Sequence, residues 1–131
     1  MTLDSAIAQC DTRRPNQYSR EDKIGWLSKL DGRIDQDVLA MCEGEARPFT
    51  GYDSGTPGDT QLLAPWPHDE MYPLYLYAMA DFHNNDLQRY NASAAMFDRA
   101  LMEYKAWYIR NHMPKKRASV SYGGGSGRLS P

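Results

Sequence analysis

The clearest pattern in the chain lies between residues 87 and 108. Leu87, Tyr90, Ala94, Phe97, Leu101, Tyr104 and Tyr108 recur at intervals of 3, 4, 3, 4, 3 and 4. This is the a/d seam of a helix packed along one side. It predicts a helix over about 86–112, with Asp98, Arg99, Glu103, Lys105 and Arg110 off the seam and Met113-Pro114 as its stop. A helix of roughly 27 residues is about 40 Å long. That exceeds what a small core requires, so part of the seam is expected to face a neighbouring subunit.

A second apolar run precedes it. Ala64-Pro65-Trp66-Pro67 is non-helical, because a residue before proline is pushed towards extended backbone. Asp69 and Glu70 suit a first helical turn, where the dipole favours negative charge, and Pro73 is tolerated only within that turn. Met71, Leu74, Tyr75, Ala78 and Phe82 line one face, and Tyr72, Leu76 and Met79 another. Such a helix, apolar on most sides, is central to its domain. It is predicted over 69–83. His83-Asn84-Asn85-Asp86 then breaks the pattern: Asn accepts the left-handed conformation that ends a helix, and Asp caps the next. So short a break favours an antiparallel pair.

Earlier in the chain, Leu3, Ile7 and Cys10 mark a short helix within 3–13, ending before Arg14-Pro15. Ser19 is a candidate N-cap followed by acidic residues. Ile24, Leu27, Ile34, Val38 and Met41 recur beyond it at helical spacing, which predicts a helix over about 20–42. Gly32 inside it costs roughly 1 kcal/mol relative to Ala, and close approach of another helix is one reason to keep it. Gly44 to Gln61 carries four glycines and two prolines and excludes a helix. Arg47 to Asp53 is a candidate extended segment around Phe49 and Tyr52. A loop this long in a small domain is mobile or used for contact. Contact is the expectation here, with shortening leaving folding nearly intact and weakening assembly. Leu62, Leu63, Pro65 and Trp66 are expected to pack back on the paired helices. The fold class is therefore all-α: a small helical bundle with an antiparallel long-helix hairpin, a long irregular loop and an extended C-terminal tail. Residues 1–114 form the helical domain and 115–131 the tail.

Charge sharpens this division. The net charge of the chain is −2. Residues 1–103 hold all 17 acids and 9 Lys/Arg, a balance of −8, whereas 104–131 hold 6 Lys/Arg and no acid. An acidic body with a basic tail favours contact with further copies or with an acidic partner. The tail, Lys115-Lys116-Arg117 and then a glycine-rich end, cannot bury enough to fold alone, but Val120 and Tyr122 offer alternate side chains for strand addition to a partner. It is expected to order only in an assembled particle. No apolar run approaches the ~18 residues of a membrane span, and the N-terminus does not read as a signal peptide. Cys10 and Cys42 lack metal-ligand spacing and read as reduced, partly buried thiols.

No chemical site emerges. His68-Asp69-Glu70 is a polar cluster at a helix start without the further His or Cys that a metal needs. His83 and His112 lie at helix ends. Asp81, Asp86 and Asp98 read as solvated helix-surface acids. Phosphate-loop, dinucleotide and nucleophile-elbow motifs are absent. The expectation is a non-enzyme with no cofactor and no metal. Trp26 and Trp107 read as core or near-core. Trp66, between two prolines, is a candidate interface anchor, since aromatics dominate interface hot spots. Phe49, Tyr52, Lys115, Lys116, Arg117, Val120 and Tyr122 complete the candidate interface.

Leu63-x-Pro65-x-Pro67-x-Asp69-x-x-Tyr72-x-x-Tyr75-Leu76, then Asp81, Arg89-Tyr90-Asn91, Phe97, Tyr104, Trp107-Tyr108 and Arg110, resembles the tailed-bacteriophage head–tail connector (adaptor or head-completion) proteins. Leu27, Leu30-Asp31 and Ile34 are similar to an earlier helix of that family, and the resemblance spans about residues 24–114. It implies a helical bundle that forms a homo-oligomeric, commonly dodecameric, ring beneath the portal protein. DNA passes through the ring, and a tail-completion or stopper protein docks below. The expected location is then the virion, after synthesis in the host bacterial cytoplasm. Two rivals remain: a small nucleic-acid-binding phage regulator using the basic tail, and an enzyme with a site among His68, Asp69 and Glu70.

Overall fold

A computed structural model describes residues 1–42 and 49–112. These form four α-helices: α1 (Leu3–Arg13), α2 (Arg20–Asp37), α3 (Met71–His83) and α4 (Leu87–Asn111). Among the described residues there is no strand, and one isolated bridge joins Thr2 to Gln61. The fold is all-α.

Local chemistry sets the helix ends. Thr2 and Ser19 each accept from the backbone N–H three residues on, at 3.1 Å, and so cap α1 and α2. Asp86 caps α4 by accepting from Arg89 N–H. Asn85 takes the left-handed conformation, φ 58°, between α3 and α4. Pro73 is the third residue of α3, where its missing N–H removes no intrahelical bond. α2 is shorter than its apolar period: it stops at Asp37, and a single 3-10 turn covers Leu39–Met41. Asp35 and Asp37 lie in its last turn with no basic residue, and acids there oppose the dipole.

α3 is the central element. None of its residues from Met71 to Asp81 is exposed, and it packs against α1, α2 and α4. α3 and α4 run antiparallel, with ring contacts that pair Phe82 with Tyr90, Tyr75 with Phe97 and, beyond the start of α3, His68 with Trp107. Leu3, Ile7, Leu27, Ile34, Met71, Tyr72, Leu76 and Tyr104 form the centre of the core.

The described part of the segment between α2 and α3 is bonded into the domain, where the sequence predicts a contact loop whose shortening leaves folding nearly intact. The carbonyls of Thr60 and Gly58 accept from Leu3 and Asp4 N–H at 3.0 and 2.9 Å, satisfying donors that the first turn of α1 leaves free. Leu62 N–H donates to Met1. Tyr52 N–H donates to Ser28 Oγ at 2.9 Å, and Gly51 reaches this position with φ 96°, a conformation that favours glycine. Residues 49–53 are not a strand, and the remainder of the expected extended segment falls outside the described residues. Gly32 does not meet a neighbouring helix; a Cβ there would meet the Phe49 ring at 3.9 Å.

Candidate assembly surface

Among the described residues three charged side chains are buried inside the bundle, and each is tied down by a named partner. Asp31 is fully buried on α2. Its carboxylate accepts from Tyr72 Oη at 2.6 Å, Tyr52 Oη at 2.5 Å and Leu63 N–H at 3.1 Å. Burial lifts the carboxyl above its ordinary range despite these three donors. Tyr72 Oη also accepts from Ala64 N–H at 2.7 Å. The cluster thus sews the 49–64 segment to α2 and α3. Asp81, read from sequence as a solvated surface acid, is buried instead: it accepts from Arg14 Nη1 and from Ser93 Oγ, joining α3 to α4 and to the residue that follows α1. Lys23 is buried on α2 and pairs with Asp11 of α1. All three are fastenings within one chain.

The remaining sequence candidates separate. His68 packs between Tyr104 and Trp107. Asp69 pairs with the Met1 amino group at 3.0 Å. Glu70 is exposed and forms no ion pair among the described residues. Among those residues no group of three or more His, Cys, Asp or Glu can hold a metal. Trp26 is half-buried and stacks on His83 at 5.3 Å, with the Tyr18 ring at its edge. Cys10 and Cys42 are both free and buried, and burial pushes the Cys10 thiol up to about 11. Tyr52 is half-buried with its hydroxyl held by Asp31, and Phe49 meets its ring edge-on. Lys115, Lys116, Arg117, Val120 and Tyr122 lie outside the described residues.

The surface of α4 stands apart. Its 25 residues span about 37 Å, whereas the 13 of α3 span about 20 Å. The expected a/d seam is not mostly buried. Tyr104 is buried, but Tyr90, Ala94, Phe97, Leu101 and Tyr108 are only partly so, and Leu87 is 63% exposed. The residues of α4 that are fully inside are Ser93, Ala100 and Tyr104. The core thus lies one position to the side of the seam over much of its length. Leu87, Met102 and Ile109 fall within about 60° of each other on the helix. They are 63%, 70% and 50% exposed.

Beside this flank, α2 and α4 are held apart by α3, leaving an open groove of about 150 Å³. Leu30 and Ile34 of α2, Tyr75 of α3 and Phe97 and Leu101 of α4 give it apolar walls. Arg33, Asp37 and Lys105 stand with them, and none of the three forms an ion pair among the described residues. Trp66 is the most exposed large apolar side chain among the described residues, at 82%. Sequence reasoning found Trp66 but not the groove, whose walls come from three helices.

No helix among the described residues is long and apolar enough to cross a membrane. Comparison with protein families, curated proteins and solved structures returned no match.

Proposed function

We propose that the chain is a structural subunit that assembles with copies of itself into a ring, as in the head–tail connectors of tailed phages that residues 24–114 resemble. The observation that carries this reading is the outer flank of α4. A helix about twice as long as its partner exposes Leu87, Met102 and Ile109 along one side. Scattered apolar residues are ordinary on a surface. Met102 and Ile109, two turns apart on one flank beside an open apolar groove, mark the candidate contact surface, with Leu87 about 22 Å further along the same side. The buried charged groups support the reading in a second way, because each is engaged in holding the subunit together.

In this reading the chain is not an enzyme and carries no cofactor. Its neighbours in the virion are the portal above and a tail-completion or stopper protein below, and packaged DNA passes through the ring. The test is particle mass by sedimentation and native mass spectrometry, then negative-stain imaging with and without a phage portal. A closed ring that docks on the portal is the expected result. A chain that stays monomeric at all concentrations and with the portal refutes the proposal. Strongly salt-dependent binding of that monomer to nucleic acid would transfer the assignment to a nucleic-acid-binding regulator.

A further inference from the structure

The chemistry of Trp66 and Glu70 complements that of the groove between α2 and α4. The groove is open and holds about 150 Å³, with buried Leu30 and Ile34 as its floor and partly exposed Tyr75, Phe97 and Leu101 at its sides. Its walls are aliphatic and aromatic, and Arg33 and Lys105 supply cations beside them. A cation over an indole face is attracted by the ring quadrupole, more strongly for Trp than for Tyr or Phe. Trp66 is exposed between Pro65 and Pro67. These prolines fix their own φ and restrict the residues before them, so little backbone freedom is lost when the indole is captured. Four residues on, exposed Glu70 offers a carboxylate to the groove's cations; Asp69 is already engaged by the Met1 amino group. The groove also contains Asp37, so two cations face one internal anion and have charge to spare for Glu70.

We infer that Trp66 of one copy seats in the α2–α4 groove of the next, against Tyr75, Phe97 and Leu101 over the floor of Leu30 and Ile34, with Glu70 meeting Arg33 and Lys105. The inference rests on the ring reading and names its contact. The occupant is a second copy because the chain itself carries the ring-sized knob, its rigid mount and the matching carboxylate. Knob and groove are different patches, so the contact is heterologous: each copy that receives a Trp66 still has its own to give. Such contacts close into rings or continue as filaments. The basic segment Lys115-Lys116-Arg117 is the poorer occupant on charge grounds, since the groove already holds an excess of cations.

The experiment uses the full chain and two variants: Trp66→Ala, without the knob, and Arg33→Glu/Lys105→Glu, with the groove's charge reversed. Circular dichroism and urea midpoints check that both fold as the wild type does. Each variant alone is expected to be monomeric where the wild type is oligomeric, with association weakened roughly 30-fold or more, the loss typical of a tryptophan hot spot. Mixed together, they retain one intact knob and one intact groove, and are expected to form a one-to-one dimer that grows no further. If the wild type forms rings and Trp66→Ala forms them undiminished, this contact is overturned while the ring reading stands. A mixture that stays monomeric also overturns it. A wild type that never associates removes the ring reading and this contact together. Should the charge-reversed variant fail to fold, Lys105→Glu alone replaces it in the mixture, and Glu70→Lys is tested by itself. That variant is expected to weaken association, and undiminished assembly by it would overturn the role given to Glu70.

Discussion

Replacing Tyr72 with Phe removes one oxygen from the centre of the bundle and leaves the packing almost unchanged. That oxygen makes two bonds between fully buried groups, donating to Asp31 Oδ1 at 2.6 Å and accepting from Ala64 N–H at 2.7 Å. Loss of a bond to a charged group costs about 1.5–3 kcal/mol, and a buried N–H left without a partner costs about 1–3 kcal/mol. Asp31 keeps two donors, Tyr52 Oη and Leu63 N–H, and local relaxation recovers part of the rest. The expected loss is therefore about 3 kcal/mol, a large share of the stability of a domain this size. Tyr52→Phe is the internal control. Its hydroxyl makes one bond to the same carboxylate from a half-buried ring, where water can replace it, so about 1 kcal/mol is expected. The double variant should lose more than the sum, because Asp31 then retains one donor. Urea unfolding at neutral pH, followed by circular dichroism, measures all three. A loss below about 1 kcal/mol for Tyr72→Phe, or one no larger than for Tyr52→Phe, refutes the view that this cluster fastens the 49–64 segment to the helices.

Asp31→Asn should show a pH dependence of known sign. Burial raises the folded carboxyl above its ordinary value of 3.8, so its contribution is greatest below that value and is lost as pH rises through the folded one. The wild type's advantage over Asp31→Asn is then largest in acid and shrinks towards neutrality; an advantage that grows with pH contradicts this. Phe97→Ala should cost about 1–2 kcal/mol, because the ring is only partly buried, rather than the 3–5 kcal/mol of an enclosed phenylalanine; calorimetry on the purified chain distinguishes the two. Asn85→Ala should cost about 1–2 kcal/mol and Asn85→Gly almost nothing, since φ is 58° there; equal effects in thermal melts would show that the turn is not held left-handed. Cys10, buried and with its thiol pushed up to about 11, should react with a thiol reagent at pH 8 only as fast as the protein opens, and rapid reaction in the native protein would contradict its burial.

The sequence by itself determined the four helices, most of their ends and the turn at Asn85. Capping, proline position and left-handed turns are settled by residues a few positions apart, so Thr2, Ser19, Pro73 and Asp86 act locally. The central place of α3 was also legible, because a helix apolar on most sides must be covered on most sides. The buried acids left a trace that went unread. Asp31 stands on the stripe Ile24, Leu27, Ile34, Val38 at the same 3–4 spacing, and Asp81 follows Leu74 and Ala78 in the same way. An acid on an apolar stripe demands donors, but the sequence does not say that Tyr52 and Tyr72, or Arg14 and Ser93, supply them. Tertiary structure also decided the phase of α4. A strict heptad drifts about 20° per repeat around a straight helix. A seam held from Leu87 to Tyr108 therefore cannot stay on one core, and Leu87 emerges into solvent while Tyr104 is enclosed. The groove belongs wholly to the tertiary level. Its walls lie on α2, α3 and α4, and its width is set by α3 holding the outer two apart, a distance that no local pattern of residues encodes.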